Sequence, residues 1–233
     1  MDQQSKQLKV AIISDIHSNL IALEAVMDSI RDEGVDRIFC LGDIVGYGAR
    51  PNECVEMIQH HNIPCVMGNH DEAAIGLRNI GYFNQWARAA VLWTSDNLND
   101  NSRRYLGGLE FTLEHEGMLF VHSSPFEPQA WHYIFTDYEA SASFRCFKQR
   151  VGFIGHSHIP DIFSEPGSGR LIVNVGSVGQ PRDHDPRACW GLYDTDSNDF
   201  KWMRVEYRFA ETSAQIIAAG LPGFLADRLR SGI

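Results

Sequence analysis

Aspartate, histidine and asparagine gather at five points of this chain: Asp15-Ile16-His17, Gly42-Asp43, Gly68-Asn69-His70-Asp71, His122 and Gly155-His156-Ser157-His158. Each point follows a short apolar run: VAIIS, RIFCL, IPCVM, MLFV and VGFIG. Imidazole mixed with oxygen donors suits manganese, iron, zinc, nickel or cobalt better than calcium. Asp15 with His17, and His156 with His158, are i, i+2 pairs. In extended chain such pairs point to one side, so each pair is expected to converge on one site. Any single piece is common by chance. Together, in order and each after a strand, they predict one metal centre made by Asp15, His17, Asp43, Asn69, His122, His156 and His158. His70 directly follows a ligand and is expected at the rim as a proton donor, with Asp71 hydrogen-bonded to it. His60, His61, His115 and His132 fall outside the pattern and read as surface or structural residues.

The elements that must carry these residues alternate in type. Leu8 to Ile13 reads as a strand, and Leu20 to Arg31 has helical apolar spacing. Asp36 to Leu41 is a second strand, Pro51 to His60 a helix opened by proline, and Ile63 to Met67 a third strand. This βαβαβ order predicts a mostly parallel sheet, with ligands at the carboxyl ends of the strands. Tyr82 to Asn97 reads as a helix whose Trp86 and Trp93 pack in a core. Further strands are expected at Glu110 to Glu114, Met118 to His122, Val151 to Ile154, Leu171 to Val175, Cys189 to Asp194 and Lys201 to Tyr207. Glu116-Gly117 is the hairpin turn between the first two. Phe135 to Lys148 and Pro222 to Arg230 read as helices, and Ser164 to Arg170 as a turn.

The 233 residues suit one domain, 1–233. A net charge of −10 argues against stable nucleic-acid binding, though bound cations can reverse the local potential for an anionic substrate. No apolar run reaches the ~20 residues that cross a bilayer. The polar opening, Met1 to Lys9, has no signal-peptide segment, which places the chain in the cytoplasm without membrane attachment. Five cysteines without a CxxC pair agree with that placement.

The ordered motifs Asp15-Ile16-His17, Gly42-Asp43-Ile44-Val45-Gly46, Gly68-Asn69-His70-Asp71, His122 and Gly155-His156-Ser157-His158 resemble the calcineurin-like metallophosphoesterase superfamily. The short form looks like its bacterial and archaeal phosphodiesterase branch. Gly42 to Cys54 and Asn174 to Arg182 look most like a subgroup that includes diadenosine tetraphosphate hydrolases. The resemblance implies an α/β fold: a four-layer αββα sandwich of two mixed sheets flanked by helices, with a dinuclear metal site at the strand ends. It also implies a division of ligands. Asp15, His17 and His158 would hold one metal, Asn69, His122 and His156 the other, and Asp43 would bridge them.

The expected activity is hydrolysis of phosphoester or phosphoanhydride bonds by a metal-bridging hydroxide, on small phosphorylated substrates that include nucleotides and dinucleoside polyphosphates. Phosphoprotein phosphatases of this superfamily carry an Asp-Arg pair after the bridging aspartate. Here Val45-Gly46-Tyr47-Gly48 stand instead, and no arginine comes before Arg50. Tyr47, Gln180 and Arg182 are the candidate substrate contacts. The turn Gly176 to Arg182 either offers backbone N–H groups and a guanidinium or is purely structural. Competing readings are a phosphomonoesterase of loose specificity, a nuclease, and a non-catalytic scaffold of the same fold. The scaffold would have lost ligands or the histidine at position 70.

Overall fold

A computed structural model describes residues 8–233, and the start of the polar opening, up to residue 7, lies outside it. Strand β1 (Lys9–Ile13) pairs in parallel with β2 (Arg37–Cys40), and helix α1 (Leu20–Glu33) makes the crossover. Asn19 caps α1 through its side-chain oxygen, which accepts from Ala22 N at 3.2 Å; such a cap stabilises by about 1 kcal/mol. Helix α2 (Pro51–His60) starts at its proline, as expected. The chain then forms α3 (Asn69–Ala74), α4 (Gln85–Asn97) and α5 (Asp100–Leu106) before the hairpin of β3 (Thr112–His115) and β4 (Met118–Val121). Glu116 and Gly117 close that hairpin with φ of 45° and 75°. After α6 (Asp137–Ser143) come β5 (Val151–Ile154), β6 (Asp161–Ser164), β7 (Leu171–Asn174), β8 (Ala188–Asp194) and β9 (Phe200–Val205). Helices α7 (Phe209–Ala218) and α8 (Gly223–Asp227) follow.

The strands make two mixed sheets, ordered β2-β1-β8-β9 and β3-β4-β5-β7-β6. Val10 and Ile12 of β1 point into a core between the sheets, where they meet Phe120, Phe153 and Val173. Their alternate neighbours Ala11 and Ile13 face outward against Leu23, Val26 and Ile30 of α1. Both faces of β1 are therefore covered, which is why its sequence is continuously apolar rather than alternating. The second sheet is covered in the same way: Leu119, Val121 and Ile172 pack on Ala140 and Phe144. The fold is the α/β arrangement of two mixed sheets between helices that the resemblance implied.

Several local expectations change. Ile63 to Met67 is not a full strand. Cys40 N donates to Pro64 O, Val66 N returns the bond to Cys40 O, and Met67 N leaves for Glu110 O. Proline has no donor of its own, and the chain departs at once for the other sheet. The helix expected over Phe135 to Lys148 is only α6, because Phe144 and Phe147 turn into the core. Strand β6 and helices α5 and α7 were not among the elements expected from the sequence. Trp86 is exposed and stacks on Phe224 instead of lying in the core, whereas Trp93 is half-buried and packs against the core of Tyr47, Ala87 and Ala90.

Candidate metal centre

The ligand pairs do not converge by lying in extended chain. Asp15, His17, Asp43, His156 and His158 all have φ between 51° and 67°. A non-glycine residue in this left-handed region costs roughly 1–2 kcal/mol, so the packing must hold it there. It is held by cross-links between the strand ends. Asp15 N donates to Gly42 O at 3.1 Å, His17 N to Asp43 O at 2.9 Å and Ser18 N to Ile44 O at 2.9 Å. His156 N donates to Asp15 Oδ2 at 3.0 Å, and His70 N to Asp43 Oδ1 at 2.8 Å. Two glycines allow this approach. A Cβ at Gly68 would lie 2.1 Å from Asp43 Oδ1, and one at Gly155 would lie 2.0 Å from Ser14 Oγ.

The imidazoles are set as metal donors. His17 Nδ1 faces Val45 O at 3.1 Å, His122 Nδ1 faces Leu41 O at 2.8 Å and His158 Nδ1 faces Gln180 O at 2.6 Å. A carbonyl only accepts, so each Nδ1 carries the proton and each Nε2 presents a lone pair. His156 is the reverse: Nε2 donates to Trp131 O at 3.1 Å, which leaves Nδ1 as its donor atom. The bare atoms crowd together. His17 Nε2 and His158 Nε2 are 3.1 Å apart, and Asp15 Oδ1 is 3.2 Å from the latter. His122 Nε2 is 3.2 Å from Asn69 Oδ1 and 3.4 Å from Asp43 Oδ2. Asp43 Oδ2 is also 3.6 Å from His17 Nε2, so this carboxylate stands between the two groups. The ring of His156 packs 5.1 Å from that of His122. All seven residues that the sequence singled out as ligands thus meet at one place.

The electrostatics agree with a cationic occupant. Burial alone would raise the Asp15 carboxyl, yet the surrounding histidines, His158 foremost, hold it well below the carboxylate range. Asp15 Oδ1 is buried without a hydrogen-bond donor. Burial would lower His122, but Asp43 beside it pulls it up to about 10, so this point draws in positive charge. Burial holds His156 and His158 down to about 3, which keeps their rings neutral. Buried carboxylates beside imidazole nitrogens make a donor set that suits a transition-metal ion.

His70 lies against this cluster. Its ring is 4.9 Å from that of His17 and packs beside Tyr47 and Phe83 at 4.5 and 5.0 Å. Nδ1 is buried without a partner. His70 Nδ1 or Nε2 also groups with donor atoms of His17 and Asp43, close enough to share an ion. Burial holds its pKa well below the ordinary value. The expected hydrogen bond from Asp71 is absent. Asp71 Oδ1 accepts from Val45 N at 3.0 Å and Oδ2 from Gly68 N at 3.1 Å. Asp71 therefore clamps the two loops that carry Asp43 and Asn69. It sits three residues ahead in the first turn of α3, where a carboxylate reaches back to the preceding backbone.

The turn Gly176 to Arg182 is also corrected in part. Its N–H groups are used internally: Gly176 to Asn174 Oδ1, Val178 to Ser14 O, Gly179 to Asp15 O, Gln180 to Ser177 Oγ and Arg182 to His158 O. None of these faces a ligand. The Arg182 guanidinium remains, donating to Gln180 Oε1 at 2.8 Å and Tyr47 Oη at 3.4 Å.

A cavity of about 450 Å³ opens from the cluster, lined by Tyr47, Asn69, His70, Phe83, Tyr133 and His156 among others. Larger concavities of about 660 and 630 Å³ lie elsewhere, and neither brings histidine and aspartate donors to one point.

The sequence profile of the calcineurin-like phosphoesterase superfamily domain matches residues 8–198. The chain belongs to the calcineurin-like phosphoesterase superfamily. A metallophosphoesterase from Sphaerobacter thermophilus is 42% identical, with a TM-score of 0.86 over 97% of this chain and 99% of that one. An uncharacterized protein of Methanocaldococcus jannaschii is 39% identical across 96% of this chain and 98% of its own length. A hypothetical protein of Pyrococcus horikoshii shares the fold, with a TM-score of 0.85 at 21% identity over 97% of this chain and 98% of that one. This phosphoesterase is thus similar to its relatives along nearly its whole length.

Some residues of the phosphoesterase site were not foreseen. The Trp131 carbonyl orients His156, and its indole N–H donates to Glu72 Oε2 at 3.1 Å. Tyr133 stacks on His156 with ring centroids 4.0 Å apart. Both lie in the loop after β4, which has no periodicity to read. The aromatic-histidine run Trp131-His132-Tyr133 was the one available signal. His132 itself points away, stacking on Phe126 and meeting Glu127.

Proposed function

We propose that this phosphoesterase hydrolyses phosphodiester or phosphoanhydride bonds in small organic phosphates, with nucleotides and dinucleoside polyphosphates among its substrates. Asp15, His17 and His158 would hold one divalent ion, Asn69, His122 and His156 the other, with Asp43 between them. Manganese, iron, zinc, nickel and cobalt all suit these donors. When bound, such ions supply Lewis acidity toward phosphoryl oxygens and an acidified water.

The observation that carries the reading is the position of His70. Its ring stands between the donor cluster and an aromatic-walled cavity, with a buried ring nitrogen that has no protein partner. There its ring N–H can donate a hydrogen bond to the leaving oxygen; giving a proton to the alkoxide requires the imidazolium, which the negative charge of a bound phosphate would favour against the burial that lowers His70. Tyr47, Phe83 and Tyr133 give the cavity aromatic walls, which suit a planar organic group on the phosphate. The lack of an arginine directly after Asp43 favours diesters and internal anhydrides, which need less charge compensation than a terminal phosphate dianion. Arg182 would then help substrate affinity through its contact with Tyr47.

Steady-state kinetics with bis-p-nitrophenyl phosphate, p-nitrophenyl phosphate and diadenosine tetraphosphate, with manganese added, test this. The diester and the anhydride should be turned over faster than the monoester. A clear monoester preference would point to a phosphomonoesterase, and no turnover of any of them to a scaffold.

A further inference from the structure

The cavity that opens from the donor cluster has a wall made by Arg78, Tyr82, Phe83 and Asn84, on the chain that leaves α3 and enters α4. The donors Asn69 and His156, and His70 beside them, line the same cavity. Among the described residues that line it, Arg78 is the one lysine or arginine, and none is a carboxylate. Arg78 is held from two directions, and both lead back to the donors. Its Nη1 donates to Glu72 Oε2 at 3.3 Å, and Glu72 lies on α3, the helix that begins at Asn69. Its guanidinium carbon stands 5.6 Å from the Trp131 ring centroid, and the Trp131 carbonyl accepts from His156 Nε2. The Trp131 indole N–H closes the cluster by donating to the same Glu72 oxygen at 3.1 Å. Nη1 also donates to Gln129 O at 3.2 Å.

These hydrogen bonds engage Nη1 alone. Among the described residues, Nε and Nη2 have no acceptor, and the side chain is 27% exposed. The pairing with Glu72 is also loose. At 3.3 Å it is longer than the ~2.7–2.9 Å of a tight charge-assisted bond, and the oxygen is shared with Trp131. Arg78 is thus fixed at one nitrogen, while the Nε and Nη2 edge keeps its N–H donors. That planar edge matches two oxygens of one phosphoryl group. The contacts of Arg78 are Glu72, Gln129 and Trp131, and none of the seven donor residues. The anion it meets is therefore a group further along the substrate than the one at the donors.

We propose that Arg78 is a specificity-determining residue of this cavity, which binds a second phosphoryl group linked to the one held at the donors. The substrate class is then an organic anhydride with at least two phosphoryl groups. That it is a substrate rests on the hydrolase reading above, whereas binding at Arg78 does not depend on turnover.

Calorimetric binding of AMP and of the α,β-methylene analogue of ADP, to the full-length, manganese-loaded protein at fixed free manganese, tests this without turnover. The analogue should bind about tenfold or more tightly than AMP, the scale of one charge-assisted hydrogen-bond set. Arg78→Gln should reduce that ratio to about threefold or less, and Arg78→Lys should restore part of it. Glu72→Gln separates binding from structure, because it breaks the same ion pair but leaves the guanidinium. It should keep or raise the ratio. Manganese content and Tm check that each variant is folded. A ratio unchanged in Arg78→Gln, or a wild-type ratio near one, overturns the proposal. An equal loss in Glu72→Gln also overturns it and makes Arg78 a structural partner. If the ratios come out as expected but no phosphoester is hydrolysed, the Arg78 subsite stands and the hydrolase reading fails. If bis-p-nitrophenyl phosphate is hydrolysed but the ratio is flat, the reverse holds.

Discussion

The Nε2 atoms of His17 and His158 face each other at 3.1 Å, although 141 residues separate them in the chain. Each ring is fixed by an Nδ1–H bond to a carbonyl, so two lone pairs meet with Asp15 Oδ1 beside them. Such a meeting is unfavourable in the protein alone. A shared cation would make it favourable.

Asp43 stands between the two donor groups, 3.6 Å from His17 Nε2 and 3.4 Å from His122 Nε2. Asp43→Asn should therefore lower metal content as well as activity. Elemental analysis of the purified variant measures this. A variant that keeps two ions per chain would remove Asp43 from its bridging role.

His70→Ala should keep its metals and lose roughly 10²–10⁴-fold in rate, the usual share of one acid–base group. The same metal analysis, paired with kcat, decides the point. A metal-depleted His70→Ala protein would make His70 a ligand, a role its closeness to His17 and Asp43 also permits.

Arg182→Ala should raise KM while leaving metal content unchanged, because its guanidinium touches Tyr47 and Gln180 and no metal donor atom. An unchanged KM with every substrate would return the Gly176 to Arg182 turn to a structural role.

Chelation should destabilise the fold. An ion present at a hundredfold over its Kd stabilises by ~2.7 kcal/mol. At ~2–4 °C per kcal/mol for a chain of this size, Tm should fall by about 5–10 °C in EDTA and recover with manganese. Differential scanning calorimetry reads the shift, and identical curves with and without EDTA would argue against any structural contribution from metal.

Asp71→Asn leaves a carboxamide where two backbone N–H groups need acceptors. One of them would face an NH₂ donor, at a cost of about 1–3 kcal/mol. Tm should fall, while the shape of the pH–rate profile should hold. A displaced profile would mean that Asp71 tunes His70 after all.

The donor positions were legible in the sequence because each is a local event. An apolar strand ends, and a polar residue follows at the sheet's carboxyl edge. Asp15, Asp43, His122 and His156 all obey this, and Asn69 follows the isolated bridges of Cys65 and Val66, so their types and order sufficed to forecast a shared centre. Elements with strong periodicity, such as α1 and α2, were legible for the same reason. The tertiary structure decided what depends on partners far apart in the chain. Whether Asp71 bonds His70 or the Val45 and Gly68 backbones depends on where two loops come to rest. That the Trp131 carbonyl orients His156 depends on the path of an irregular loop. The left-handed turns at Asp15, His17, His156 and His158 exist only because the cross-links between strand ends repay their strain.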